Sequence, residues 1–219
     1  MNNRSSMREE NSEKTGCIKV PEIRCEIPRI RPLSYGEVLG CTSPKIKESK
    51  ICIFIGDGRF HLESVMINNP KIEGFYKYCP FSKKMSRERY GYEKMLKVRT
   101  EEKRRAMMGR SFGVILGTLG RQGNGGIFEA VWSYLKEKGY LLYPIKIREI
   151  NQEILNSFPF IDSFVQISCT RLSLDWGSSY PKPLLNPYEV FNDLEEYSMD
   201  YYSNERAVPW SNYGVERKD

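Results

Sequence analysis

The strongest constraint on the fold is a series of short apolar runs, each bounded by turn-forming residues. Helical patterns separate the runs, and strands that alternate with helices indicate right-handed crossovers and a mainly parallel sheet. Four runs are predicted to be buried strands: Ile51–Ile55, 112–116, 140–147 and 164–167, with 37–40 a candidate fifth. The predicted helices are 62–68, 86–108, 126–138 and 149–157. The sequence therefore predicts an α/β fold.

This pattern divides the chain into four parts. Residues 1–29 lack periodicity and are predicted to be a disordered leader. Two consecutive three-layer units with parallel sheets are predicted at 30–110 and 111–190, because the long charged helix ends near residue 110. The acidic, tyrosine-rich segment 191–219 is predicted to be a surface extension.

Composition narrows the classes of protein that remain. No apolar run approaches the roughly 18–20 residues of a membrane span, and the first residues lack an apolar leader. The six cysteines form no C-x-x-C pair, so reduced thiols and a location in the cytoplasm are expected. No membrane or DNA partner is expected.

The net charge of +6 is concentrated in one segment. Residues 83–110 hold eleven Lys and Arg against four Glu. This segment is either a solvated helix face or a patch for RNA or an acidic partner, and the charge alone leaves both interpretations open.

Candidate site residues follow the predicted strands, where ligands gather in parallel sheets. Cys41 and Cys169 each lie just past an apolar run and are followed by Thr and polar residues. Two thiolates with Arg171 nearby would suit a soft metal or an iron–sulfur cluster better than zinc, although the spacing alone favours the interpretation as small packed cysteines. His61 is the single histidine of the sequence, which argues against a multi-histidine metal site, and it is either a packed side chain or a general base.

Longer motifs carry a resemblance to a known family. They are LSYGEVLGCTSP (33–44), FIGDGRFHLESVMINNP (54–70), SKKMSRE (82–88), GVILGTLGRQGN (113–124) and VQISCTRLSLDWG (165–177) followed by PKPLLNPYE (181–189). In this order they closely resemble the diphthamide synthesis enzymes, over roughly residues 30–190. That family uses unconventional radical chemistry on S-adenosylmethionine.

The resemblance implies an activity and a set of partners. A 4Fe-4S cluster would cleave S-adenosylmethionine, and the 3-amino-3-carboxypropyl group would join a histidine of translation elongation factor 2, the first step of diphthamide synthesis. The implied partners are a homologous second subunit, elongation factor 2 as substrate and a small electron-donor protein.

The resemblance also implies roles for single residues. Cys41 matches the cluster ligand of the family's second domain, and Cys169 that of the third domain. Gln122, Arg171 and Asp175 are expected to hold the methionine portion of S-adenosylmethionine, with Arg171 on its carboxylate. His61, with Asp57 and Arg59, is expected to line the same cavity.

One departure from the family tempers these expectations. The first domain, which carries the first cysteine ligand, would precede residue 30, and neither Cys17 nor Cys25 lies in its motif. Cys79 is interpreted as an incidental thiol. The isolated chain is therefore predicted to bind a cluster poorly. A noncatalytic scaffold that stabilises a heterodimer and an RNA-binding module are the alternative hypotheses.

Overall fold

The computed structural model describes residues 24–120 and 122–213, which form two β-sheets with helices packed against them. The strands are β1 Ile51–Ile55, β2 Gly74–Cys79, β3 Lys84–Glu88, β4 Ser111–Gly117, β5 Leu141–Ile147, β6 Ser163–Ile167 and β7 Leu184–Leu185. The helices are α1 Phe60–Asn68, α2 Tyr92–Met108, α3 Gly125–Glu137, α4 Gln152–Asn156, α5 Thr170–Trp176 and α6 Pro187–Phe191. A short 3-10 turn at Gly177–Ser179 follows α5.

The second sheet has the predicted architecture. Its strand order is β5-β4-β6-β7, and every pairing is parallel. Strands β4 and β6 are buried along almost their whole length. One face packs against apolar side chains of α2, α3 and α6, and the other against Leu155 of α4. The α/β fold with a parallel sheet is thus confirmed. The carboxyl ends of all four strands lie on the same side of this sheet.

The first sheet differs from the prediction. Its order is β1-β2-β3, with β1 and β2 parallel but β3 antiparallel to β2. Cys52 and Phe54 turn inward and pack against Leu62 and other residues of α1. Ile51, Ile53 and Ile55 turn outward and are 57–69 % exposed. The expectation of a buried β1 within three layers is wrong for the described residues, because only one face of this sheet is covered.

Two local predictions are also wrong. The helix expected over 86–108 begins only at Tyr92, since residues 84–88 pair with β2 as an antiparallel strand after a turn at Lys83, whose φ is 54°. Residues 37–40 form no strand; Leu39 makes a single bridge to Thr42 within a tight loop. Both errors come from hydrogen-bond partners that local composition does not reveal.

The described part of the segment after residue 191 contributes to the core, so its prediction as a surface extension is wrong for residues 192–213. Tyr197, Met199 and Tyr201 are at most 4 % exposed and pack in one cluster with Ile67 and Leu174. Acidic residues outnumber basic ones seven to three in 191–219, but its aromatic side chains determine where the described part lies.

A buried ion pair joins α2 to α6. The Arg99 guanidinium donates to both carboxylate oxygens of Glu189 at 2.5 and 2.7 Å, and the two side chains are 1 % and 0 % exposed. Arg99 also donates to the Leu184 carbonyl at 2.9 Å.

The predicted division into two units at residue 110 stays a prediction. In the structure, α2 packs against β7 and α6. Among the described helices, none has the length and apolar composition needed to cross a membrane.

Candidate functional site

Cys41 and Cys169 line the same small cavity, although 127 positions separate them in the sequence. The cavity has a volume of about 50 Å³ and lies beyond the carboxyl ends of β4 and β6. Gln122 and Ser168 lie in its wall, together with aromatic residues from the C-terminal segment. The structure therefore brings together three of the predicted site residues: Cys41, Cys169 and Gln122.

Backbone and side-chain hydrogen bonds fix the position of Cys169. It lies one residue beyond β6, after Ser168, and directly before the first residue of α5. The buried Gln166 amide donates to the Cys169 carbonyl at 2.9 Å and to the Ser173 hydroxyl at 3.0 Å. Because Gln166 belongs to the central part of the sheet, the loop that carries Cys169 is held to a rigid element.

Cys41 is held in a tight loop by the C-terminal segment. Leu39 and Thr42 bridge each other, and Thr42 also bridges Asp200. The Tyr201 amide donates to the Cys41 carbonyl at 3.4 Å. Gly40 is required at its position, because a Cβ there would lie 2.0 Å from the ring of Phe60.

The surroundings of Cys41 favour its neutral thiol. The pKa of its thiol is raised to about 11, chiefly by burial and to a smaller extent by the nearby Cys169, against the lowering effects of the Thr42 hydroxyl and Arg171. A neutral thiol is therefore the stable form at neutral pH without a metal. Metal binding requires the thiolate and supplies the missing positive charge.

Residues of the C-terminal segment that the sequence interpretation missed close the cavity. Tyr201, Trp210 and Asn212 lie in its wall. The Asn212 side chain accepts from Asn124 at 3.0 Å, and Asn124 in turn caps α3 by accepting from the amides of its first turn. The aromatic density of this segment was the available signal, because Trp and Tyr at that density are usually packed.

Arg171 and Asp175 line a second, open cavity of about 580 Å³. The Arg171 guanidinium donates to Asp175 at 3.0 Å and to Glu63 at 2.6 Å, and it lies 4.4 Å from the centre of the Phe60 ring. Its side chain is only 4 % exposed. Burial disfavours the charged form, but the hydrogen bonds that Arg171 donates to the two carboxylates outweigh it and raise the pKa of Arg171.

Arg171 also connects this second cavity to the cysteine loop. Its remaining donors reach the Phe60 carbonyl at 3.0 Å and the Gly40 carbonyl, next to Cys41, at 3.5 Å. Two carboxylates around one guanidinium leave no net positive charge for a further anion. Glu63 was missed in the sequence because its i,i+4 spacing to Arg59 is typical of an ordinary surface pair.

The structure places the other predicted residues outside the cysteine cavity. His61 is exposed, with its ring edge-on to Phe60 at 5.5 Å. Arg59 lines the second cavity and pairs with Glu63 and Glu88 at 3.2 and 2.6 Å. Asp57 is exposed in the turn after β1. A role for His61 stays a prediction.

The donor set fits part of an iron–sulfur site. Cysteine thiolates are the usual ligands of such clusters, and here two thiols from separate loops reach one cavity. Within residues 24–120 and 122–213, no group of three or more His, Cys, Asp or Glu side chains could hold a metal ion. Cys25 is exposed, and Cys52 packs against the first core. Cys17 lies outside the described residues.

Part of the charge in the basic segment is paired within the segment itself. Arg104 and Arg105 pair with Glu101 and Glu102 one helical turn away, each at 2.6 Å. Lys103 donates to the Asn192 carbonyl at 2.7 Å. These contacts favour the interpretation of α2 as a solvated helix face.

These features define a class: an α/β protein in which two loop cysteines form a candidate centre for a soft metal. The chain belongs to the family of diphthamide synthesis proteins, whose model matches residues 3–203. The predicted family membership is therefore confirmed.

Several relatives carry the name 2-(3-amino-3-carboxypropyl)histidine synthase subunit 1. The Encephalitozoon cuniculi protein is 57 % identical over 87 % of this chain and 54 % of its own length. The Caenorhabditis elegans protein is 47 % identical over 87 % and 50 %, and the human protein 44 % identical over 90 % and 47 %. The chain thus spans about half the length of these relatives.

Solved structures show the same fold. The crystal structure of Dph2 from Pyrococcus horikoshii with a 4Fe-4S cluster has a TM-score of 0.62 and 29 % sequence identity. It covers 77 % of this chain, which corresponds to 49 % of the Pyrococcus chain. A second structure of the same protein has a TM-score of 0.63.

Proposed function

We propose that this chain acts in the first step of diphthamide synthesis, the transfer of a 3-amino-3-carboxypropyl group from S-adenosylmethionine to a histidine of translation elongation factor 2. The meeting of Cys41 and Cys169 at one cavity carries this proposal. The names of the relatives and the cluster in the Pyrococcus structure support it.

The two cysteines are proposed to hold a 4Fe-4S cluster together with ligands from outside the described residues. The cluster would supply the electron that cleaves the Cγ–S bond of S-adenosylmethionine. Cys41 and Cys169 would fix its place at the edge of the parallel sheet. The walls formed by Tyr201 and Trp210 would limit the access of water and oxygen.

Gln122 is proposed to contact S-adenosylmethionine, since it lies in the wall of the cysteine cavity and accepts from Ser168 at 3.3 Å. Arg171 and Asp175 are proposed to position the two cysteine loops, because the guanidinium is already occupied by Glu63, Asp175 and backbone carbonyls. The role of Arg171 on the substrate carboxylate stays a prediction that would require one of these partners to move.

The proposed partners follow the resemblance: a homologous second subunit, elongation factor 2 and a small electron-donor protein. The proposed location is the cytoplasm, where thiols remain reduced. The names of the relatives, which count them as subunit 1, support a multi-subunit enzyme.

An anaerobic transfer assay tests the proposal. The full chain is combined with its second subunit, a reductant, S-adenosylmethionine and elongation factor 2, and the modified histidine is followed by mass spectrometry. We expect Cys169→Ala to abolish transfer and Cys79→Ala, a matched change on β2, to retain it. Unchanged transfer by Cys169→Ala would contradict the ligand role.

A noncatalytic scaffold is the second candidate, favoured by the finding that only two candidate ligands converge among the described residues. In that case Cys41→Ala and Cys169→Ala would both leave transfer unchanged, while omission of the chain would destabilise the second subunit. The same assay therefore separates the two functions.

A further inference from the structure

Gln166 is a polar side chain in an apolar layer of the second sheet. It lies on β6, aligned with Ile115 of β4, and its exposed fraction is 0 %. Alternation along β6 places it on the same face as Phe164, which packs in one core cluster with Leu155 of α4. Burial of an amide among apolar side chains is unfavourable unless hydrogen bonds compensate for the lost water. The hydrogen bonds of this amide therefore decide whether Gln166 stabilises the sheet.

Within the described residues, only one end of the Gln166 amide is paired. Its Nε2 atom donates to the Cys169 carbonyl at 2.9 Å and to the Ser173 hydroxyl at 3.0 Å. Its Oε1 atom is buried and has no hydrogen-bond partner among these residues. The opposite orientation of the amide would place two carbonyl oxygens against each other, so the Cys169 carbonyl fixes which atom is Nε2. A methionine would have a similar length without an unpaired acceptor, so the net contribution of Gln166 to stability is small.

Cys169 lies at a helix terminus that its own side chain does not cap. It is the N-cap residue of α5, and its side chain makes no capping hydrogen bond. Ser, Thr, Asp and Asn usually occupy this position, because their oxygens accept from the free amides of the first turn. A cysteine is a weak substitute, since sulfur accepts hydrogen bonds poorly. Another group therefore has to fix the start of α5.

Gln166 fixes this start through the backbone and leaves the thiol free. One of its acceptors is the carbonyl of Cys169 itself, and the other, Ser173, lies one turn into α5. The strand that carries the donor is paired with both β4 and β7. The Cys169 side chain meanwhile lines the cavity that it shares with Cys41. Loss of the amide would therefore shift Cys169 relative to Cys41 without a change at either sulfur.

We infer that Gln166 is a positioning residue, which sets the distance between the Cys169 and Cys41 thiols by holding the Cys169 carbonyl. The unpaired Oε1 atom supports this inference, because a side chain chosen only for stability would not leave a buried acceptor without a donor. The inference rests on the proposed role of the two cysteines as ligands of one centre.

The partition of a bridging reaction measures the relative position of the two thiols. In the metal-free full chain, with the other four cysteines replaced by serine, a bimane reagent first reacts with one thiol. The second thiol then bridges this adduct, or an added small thiol captures it, and the ratio of the two products gives the effective concentration of the second thiol. We expect Gln166→Met and Gln166→Leu each to lower this ratio at least roughly tenfold, since a displacement of about 1 Å can change such a rate a hundredfold.

Two control variants separate position from stability. Val165→Ala removes buried packing at the neighbouring residue of β6, so it should lower the unfolding temperature and leave the ratio unchanged. Ser173→Ala removes the other acceptor of the same amide, and it should also leave the ratio unchanged because the Cys169 carbonyl stays held. Gln166→Met should unfold close to the wild-type temperature, as circular dichroism would show.

The outcomes distinguish this inference from the proposed function. If the wild type forms the bridge and both Gln166 variants form it equally well, the positioning role is overturned while the pairing of the two cysteines stands. If Val165→Ala lowers the ratio as much as Gln166→Met, the ratio follows stability and the inference is also overturned. A wild type that forms no bridge would overturn both the inference and the meeting of the cysteines on which the proposed function depends.

Discussion

The buried pair between Arg99 and Glu189 provides a quantitative test of how the helices are held together. Arg99→Met removes three hydrogen bonds that the guanidinium donates, two to Glu189 and one to the Leu184 carbonyl. The Glu189 carboxylate then stays buried with only the Tyr197 hydroxyl and the Asn186 amide as partners, both at 3.0 Å.

Leaving one charge of such a pair buried without its partner typically costs about 3–5 kcal/mol in the free energy of unfolding. For a protein of this size that corresponds to a loss of roughly 6–20 °C in the unfolding temperature, at about 2–4 °C per kcal/mol. The loss is a large share of the roughly 5–15 kcal/mol by which folded proteins exceed the unfolded state.

Urea unfolding followed by circular dichroism measures this loss. Arg104→Met is the matched control, because Arg104 pairs with Glu101 on the surface, where the two side chains are 59 % and 52 % exposed. That change should cost less than about 1 kcal/mol.

A second substitution separates the lost pair from lost packing. Glu189→Gln in the Arg99→Met background removes the stranded charge and should restore about 2 kcal/mol, a coupling within the usual range for contacting residues. If Arg99→Met cost no more than Arg104→Met, or if the Arg99 and Glu189 changes were additive, the reasoning about the buried pair would be refuted.

Three further predictions follow from local geometry. Gly177→Ala should lower the free energy of unfolding by about 1–3 kcal/mol, since the new Cβ would lie 2.2 Å from the Arg99 guanidinium. Gly91→Ala is the control, because the nearest contact of its Cβ would be at 3.9 Å, and chemical denaturation compares the two variants. Asn124→Ala should cost about 1 kcal/mol through loss of the α3 cap, and faster hydrogen exchange at Ile127 would show it. Hydrogen bonds from the Arg110 and Ser111 amides lower the pKa of Asp162 below its ordinary value of 3.8, so this stabilisation is present above about pH 4 and is lost as the pH falls through the folded-state pKa. Asp162→Asn should flatten the pH dependence of the unfolding temperature below pH 4, and an unchanged acid limb would contradict it.

Much of the second sheet could be predicted from sequence because its strands are apolar throughout. Strands β4 and β6 differ from their predicted bounds by one residue at most. The first sheet could not be predicted as well, since four of the five residues of β3 are charged or polar, and the strand pairs with β2 rather than extending α2. Composition also does not show which face of β1 is covered.

The candidate site was found in part for a physical reason. Cys41 and Cys169 follow apolar runs, and the topology brings such positions to one edge. Arg171 and Asp175 line a second cavity, apart from the cysteines, because Arg171 contacts Glu63 and Phe60. These contacts join residues more than 100 positions apart, so local sequence does not reveal them. The walls of Tyr201 and Trp210 depend on the C-terminal segment folding back against the cysteine loops. The aromatic density of that segment indicates that it is packed, but not which part of the fold it packs against.

The central claim is that Cys41 and Cys169 lie close enough to hold one metal centre. A bimane reagent that fluoresces only after it bridges two thiols measures this directly, in a metal-free chain in which Cys17, Cys25, Cys52 and Cys79 are replaced by serine. The account predicts one fluorescent bridge that joins the peptides of Cys41 and Cys169, and none after Cys169→Ser. Separate single adducts on the two cysteines, without fluorescence, would contradict it.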